Sequence, residues 1–226
     1  MVDLTTELRR RTYPGRGCLV ARNGTGSVSF VYFLTGRSPA SRARTLRRLP
    51  SGDLAVVDAA GKGTDPLRHY LAGMQRGSWV LVGNGDHVEA MGNALAAGQD
   101  PLRAWTSHTF EPDPPIYTPR IWVGRDIRGD PLALIGCVRR GDGPDHDPIH
   151  TLWRLTDLEV GTGVLVTTYS GSTDRVVTGP GPVEVTTSTA RSELLHQVWD
   201  ALLPELRVAA LAVDPDDFVG NVETLP

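Results

Sequence analysis

The chain has 226 residues, 40% hydrophobic and 22% charged, enough for one sizeable core in a globular protein. Its net charge of -3 argues against a general nucleic-acid surface, so any anion site must be local. No run approaches the roughly 18 apolar residues of a membrane helix. Residues 1–11 are too charged for a secretory leader, so a cytoplasmic protein is expected.

The 25 glycines and 17 prolines call for many turns, as in a sheet-rich fold. Residues 17–22 read as a strand. Asn23, Gly24, Thr25 and Gly26 read as a hairpin turn, because Asn and Gly accept positive φ. Residues 27–34 alternate, with Val28, Phe30, Tyr32 and Leu34 on one face. Residues 37–48 hold five arginines and are too basic and Ser-rich for core. A strand follows over 53–59, and Asp65 with Pro66 opens a short helix containing Tyr70. A strand over 78–82 leads into a helix reaching residue 97, with Val88, Met91 and Leu95 at helical spacing and Asn84 or Asp86 as its cap. After a short helix at 101–107, the proline-rich residues 110–119 form an ordered loop. Strands at 120–123 and 132–138 pair, and further strands cover 151–155, 163–169 and 206–213. The clearest helix is 189–203, with Leu194, Leu195, Val198, Trp199 and Leu202 as its buried stripe. No repeat or composition break divides the chain. Residues 1–226 therefore read as one domain, with 1–11 and the acidic tail 214–226 peripheral. Consecutive antiparallel strands with grouped helices favour α+β over a doubly wound sheet.

Cys18 and Cys137 lie in apolar strands and read as buried free thiols. Asp142, Asp145, His146, Asp147 and His150 form a metal-like cluster, but without the spacing of a calcium loop or a zinc pair. It reads as a flexible turn, and no metal is expected. No Gly-x-Ser-x-Gly elbow supports a serine triad, and the pairs Gly61/Gly63 and Gly161/Gly163 are too short for a P-loop. The strongest signal is the stretch holding Tyr13, Gly15, Arg16 and Gly17, continued by Tyr32, Gly36, Arg37, Ser38, Ser41 and Arg42. Arginines set beside glycines, serines and tyrosines rather than acids suit an anion. Guanidinium forks match phosphate oxygens, and glycine lets the backbone come close. Surface solvation is the plainer alternative, and it is the reading adopted for Arg44, Arg47 and Arg48.

Together with segments downstream, these residues resemble the archaeal-type IMP cyclohydrolase family. Residues 13–17 resemble the family's Tyr-x-Gly-Arg strand start. Residues 32–42 resemble its Tyr-then-Arg-Ser-x-x-Asn-Arg segment, with Ser41 where the family often has Asn. Asp65, Pro66 and Tyr70 are similar to an Asn-Pro-x-x-x-Tyr segment, and residues 83–87 to a Thr-Asn-Gly-x-His turn. Phe110 and Glu111, followed by residues 117–121, resemble an acidic loop ending in Thr-Pro-Arg-Ile. The resemblance is close over residues 13–125 and looser beyond, chiefly at Thr168 and Tyr169.

The resemblance implies an Ntn-hydrolase-like fold, a four-layer αββα sandwich of mostly antiparallel sheets, and a homo-oligomer. The implied reaction closes 5-formamidoimidazole-4-carboxamide ribonucleotide to inosine monophosphate with loss of water, by acid/base chemistry without a cofactor. The implied partner is this small purine-precursor nucleotide, not nucleic acid or membrane. Glu111 is the implied acid/base carboxylate; read by itself it is a solvated loop acid. Tyr70 would donate to the formyl oxygen, where packing alone is the other reading. Arg42 would stabilise the developing oxyanion, and Arg16 or Arg37 would hold phosphate with Ser38 and Ser41. Asn84 and Gly85 would present amides to an anion or base edge, or serve as the helix cap. Arg120 would close the site or form a rim salt bridge, and Tyr13 and Tyr117 would line it. Two rivals remain: a paralogue cyclising a nucleotide analogue, and a non-catalytic purine-nucleotide binder. An intact Glu111, Tyr70 and Arg42 set argues for the enzyme.

Overall fold

Every residue of β3 (Val28–Thr35) is buried. Val28, Phe30, Tyr32 and Leu34 face one core, whereas Val31 and Phe33 face another. A strand buried on both faces must belong to an inner layer. The computed structural model, which describes residues 1–61, 65, 67–188 and 190–226, supplies the layers on either side.

Among the described residues two seven-stranded sheets form. The first runs in the order β1 (Val2–Asp3), β12 (Val183–Thr186), β11 (Thr162–Thr167), β2 (Arg16–Arg22), β3, β13 (Arg207–Val213) and β14 (Val222–Leu225). The second is a meander of β4 (Arg44–Arg48), β5 (Leu54–Asp58), β6 (Tyr70–Arg76), β7 (Trp79–Gly83), β8 (Arg120–Asp126), β9 (Ala133–Arg140) and β10 (Pro148–Leu155). Pairing is antiparallel except between β1 and β12. The inner faces meet in a core that includes Cys18, Phe30, Tyr32, Val82, Ile121, Ile135 and Leu211. Helices α1 (Leu4–Arg10) and α5 (Arg191–Ala201) cover the outer face of the first sheet through Leu4, Leu8, Leu194, Leu195 and Val198. Helices α3 (His87–Ala96) and α4 (Pro101–Thr106) cover the second through Val88, Met91, Leu95 and Trp105. This is the αββα sandwich that the resemblance implies.

Several local expectations are corrected. The two ends are not peripheral. Leu4 and Leu8 are fully buried, worth roughly 2 kcal/mol each. In the tail, β14 pairs with β13, and Phe218 enters the core between the sheets. The arginine-rich run is a single helical turn, α2 (Pro39–Arg42), followed directly by β4. Tyr70 opens a strand rather than sitting in a helix; Pro66, and Thr189 at the expected start of α5, lie outside the described residues. Asp86 is the N-cap residue of α3 but makes no side-chain capping bond, because Arg120 takes its carboxylate. Cys18 and Cys137 are free and buried, and burial pushes the Cys137 thiol up to about 11. Among the described residues no helix is long and apolar enough to cross a membrane.

The topology gathers chemistry at one end of the sandwich. Arg16, Arg44, Tyr70 and Arg120 each begin a strand, and Thr35 ends β3. Register brings them together: Arg16 lies opposite Leu34, Gly17 opposite Thr167, and Gly83 opposite Trp122.

Candidate active site

A cavity of about 300 Å³ opens at that end, within the size range of small-molecule sites. Its wall includes Tyr13, Arg16, Thr35, Arg44, Glu111 and Tyr169, with Arg37, Ser38 and Ser41 also lining it.

Glu111 is the acid nearest the cavity's buried arginines. It is 2% exposed, and Arg16 Nη2 donates to its two oxygens at 3.3 and 3.2 Å. Asn84 Nδ2 donates to Oε1 at 3.2 Å and to the Pro119 carbonyl at 3.0 Å, while its Oδ1 accepts from the Ile121 amide. Asn84 thus ties the end of β7 to the start of β8 and fixes the carboxylate between them. Gly85 has φ +111, and a Cβ there would lie 3.4 Å from Glu111 Oε1, so glycine suits both the backbone and the close approach. Burial raises the Glu111 pKa above the ordinary carboxylate value; Arg16 and Arg120 oppose the shift and Asp113 adds to it. A carboxyl whose pKa burial raises is suited to general acid/base work.

Two buried guanidiniums share the wall with this one buried carboxylate. Arg16 is held well above its usual pKa, because Glu111 and the surrounding tyrosines outweigh burial. Its Nε is buried and has no partner among the described residues. Arg44 is 8% exposed and donates to the carbonyls of Ser41 and Thr35 at 2.8 and 3.5 Å. Among the described residues no carboxylate pairs with it. Burial lowers its pKa, and Arg16 nearby adds to that shift. A buried, acid-free cation beside a cavity is poised for an anion.

The expected site residues fall into three groups. Tyr13, Arg16, Arg37, Ser38, Ser41 and Glu111 line the cavity, with Asn84 and Gly85 directly behind Glu111. Tyr70 does not line the cavity but lies buried near its arginines: its hydroxyl and that of Tyr32 are 2.6 Å apart, close enough to Arg16 and Arg44 for charge coupling. The others stand apart. Arg42 is exposed and donates to the Arg37 carbonyl at 3.1 Å, so it steadies the turn rather than facing the cavity. Tyr117 packs edge-on against Phe110 and lies under Arg140, 4.1 Å from the ring centroid. Arg120 is bound to Asp86 and lies 3.4 Å from His87 Nδ1, beside a smaller cavity of about 200 Å³. Burial and Arg120 hold His87 well below its usual pKa.

The sequence reading missed Arg44, which it placed on the surface, and the trio Asp113, Thr118 and Tyr169. A signal existed for each. Arg44 lies two residues beyond Arg42, Asp113 two beyond Glu111, Thr118 opens the Thr-Pro-Arg-Ile segment, and Tyr169 lies in the loosely matching Thr168–Tyr169 pair. Residues 141–147 form a turn before β10 in which His146 bonds to the Gly141 carbonyl. Among the described residues no group of acids, histidines or cysteines is arranged for a metal ion.

A family model described as IMP cyclohydrolase-like protein matches residues 13–217. Among solved structures, the Caenorhabditis elegans ortholog of N-acylethanolamine-hydrolyzing acid amidase is similar over 93% of this chain and 100% of its own, with a TM-score of 0.43 and 10% identity. No curated protein matches the chain.

Proposed function

The chain belongs to the IMP cyclohydrolase-like family, and on that premise we propose that it closes 5-formamidoimidazole-4-carboxamide ribonucleotide to inosine monophosphate and water. The observation that carries this reading is the charge arrangement of the cavity. Two buried arginines meet a single buried carboxylate whose pKa burial raises.

The reaction demands those parts. An amide nitrogen is a weak nucleophile, so the carboxamide must be aligned with the formyl carbon and relieved of a proton as it attacks. Glu111 accepts that proton and returns it to the formyl oxygen. Arg16 orients Glu111 and faces the oxyanion that develops. Arg44, with Arg37, Ser38 and Ser41 along the same wall, holds the 5′-phosphate. Asn84 holds Glu111 from behind, the Arg120 charge opposes the rise in its pKa from the neighbouring cavity, and Tyr70, paired to Tyr32, brings its hydroxyl near Arg16. Arg42 drops out of the chemistry. Proton transfer and charge stabilisation suffice for each step.

The test is direct. Purified protein is incubated with the formamido nucleotide and ultraviolet absorbance is followed as the purine forms. Steady turnover is expected. Tight binding of inosine monophosphate without turnover would favour a nucleotide-binding protein instead.

A further inference from the structure

The cyclisation leaves one proton problem that Glu111 alone does not solve. The formyl carbon lies between two nitrogens, the attacking carboxamide and the formamide. Each sheds one proton, and both protons depart with the formyl oxygen as water. A second proton carrier on the other side of that carbon serves the nitrogen that Glu111 does not face.

The cavity wall holds a matching chain. Asp113 grips Thr118 with both oxygens: Oδ1 accepts the Thr118 amide at 2.7 Å and Oδ2 accepts its hydroxyl at 2.5 Å. The Thr118 hydroxyl also meets the Tyr169 hydroxyl. A carboxylate only accepts, so Thr118 spends its single hydroxyl proton on Asp113 and accepts from Tyr169. Tyr169 thus commits its proton to Thr118 and keeps its lone pairs free to accept. The ring is fixed by stacking on Tyr13, with centroids 5.6 Å apart. Gly15 admits it, since a Cβ there would lie 2.4 Å from the ring. Asp113, Thr118 and Tyr169 all line the cavity. Arg16, whose amide bonds to Thr168 Oγ1 at 3.0 Å, lies between this chain and Glu111.

Resting on the proposed cyclisation, we infer that Tyr169 is a second catalytic residue, with Thr118 and Asp113 as the positioning residues that make it a proton acceptor. One nitrogen proton passes to Tyr169 oxygen as the Tyr169 proton moves to Thr118 and the Thr118 proton to Asp113. The same path run backwards delivers a proton to the departing oxygen. Glu111 does likewise for the other nitrogen, so water carries off two protons and one oxygen, and both carboxylates end as they began.

Tyr169→Phe keeps the stacked ring and removes the relay. Its kcat should fall about 10²-fold or more, with product affinity and circular dichroism unchanged. The rate in H2O/D2O mixtures should bow for the wild type and become nearly linear in the variant. Thr118→Val preserves shape without the hydroxyl and should show the same loss, whereas Thr118→Ser should keep turnover; this pair decides the matter if Tyr169→Phe does not fold. Wild-type-like kcat in Tyr169→Phe or Thr118→Val, beside an inactive Glu111→Gln, removes the relay and leaves the cyclohydrolase reading standing. A wild type that does not turn over removes both.

Discussion

Two buried arginine–glutamate pairs lie near the Thr167 end of β11, and they differ in how fully they are satisfied. Under the outer helices, Arg11 and Glu7 are each 2% exposed. Arg11 Nε donates to Glu7 Oε1 at 2.9 Å, its two terminal nitrogens reach Glu7 and Thr167, and Arg10 adds donors at 2.7 and 2.8 Å. The hydrogen bonds from Arg10 and Arg11 outweigh burial and leave the Glu7 pKa lowered. At the cavity the balance reverses. Among the described residues Arg16 Nε has no partner and Arg44 no acid, and burial raises the Glu111 pKa. A saturated buried pair holds a fold together. An unsaturated one waits for a ligand to complete it.

The largest effect that separates the two pairs is on turnover. Glu111→Gln should lower kcat about 10²- to 10⁴-fold while product affinity is largely retained. Glu7→Gln should leave activity per folded molecule unchanged. Instead it strands the buried Arg11 and should cost about 3–5 kcal/mol of stability in a denaturant titration. If Glu7→Gln lost turnover without losing stability, the division between structural and functional pair would fail.

A smaller effect sharpens the same contrast at the arginines. Arg44→Met removes a buried charge that has no acid partner among the described residues. It should leave the melting temperature unchanged or higher, yet weaken nucleotide binding by about 1.5–3 kcal/mol, the worth of charge-assisted hydrogen bonds to phosphate. Arg11→Met should do the opposite, lowering the melting temperature and leaving affinity alone. Calorimetric titration with inosine monophosphate reads both variants. Unaltered affinity in Arg44→Met would place the phosphate elsewhere.

Much of this contrast was legible in the chain and some was not. Arg16 and Ser38 sit in a stretch whose residue types suggest an anion, the family resemblance singles out Glu111 and Asn84, and the fold sets the first three at the cavity with Asn84 directly behind Glu111. The choice between Arg42 and Arg44 was not legible. It depends on where one helical turn gives way to a strand, and a shift of two residues there carries a guanidinium from solvent into the wall. Tyr70 fell in a strand for a related reason: the local Asp-Pro signal favours a helix start, but pairing with Val56 in β5 takes the residue into the sheet. The ends looked peripheral because charge dominates their composition. Yet Leu4, Leu8 and Phe218 are each largely or fully buried, and no window average reveals them.

The smallest effect carries a sign that composition does not suggest. Both glutamates start from an ordinary value of 4.5 and move in opposite directions. For Glu7 the folded pKa is lowered. Its contribution to stability is present above about pH 4.5 and is lost as pH falls through the folded value. For Glu111 the folded pKa is raised, so its contribution is present below about pH 4.5 and is lost as pH rises through the folded value. Stability measured against pH for each wild-type and Gln pair should therefore diverge. As pH rises from 4 toward neutrality, wild type should gain on Glu7→Gln and lose ground to Glu111→Gln. Parallel slopes would mean that Glu111 is as well satisfied as Glu7. The cavity would then hold a structural ion pair, and the ligand would have to be sought at Arg44 alone.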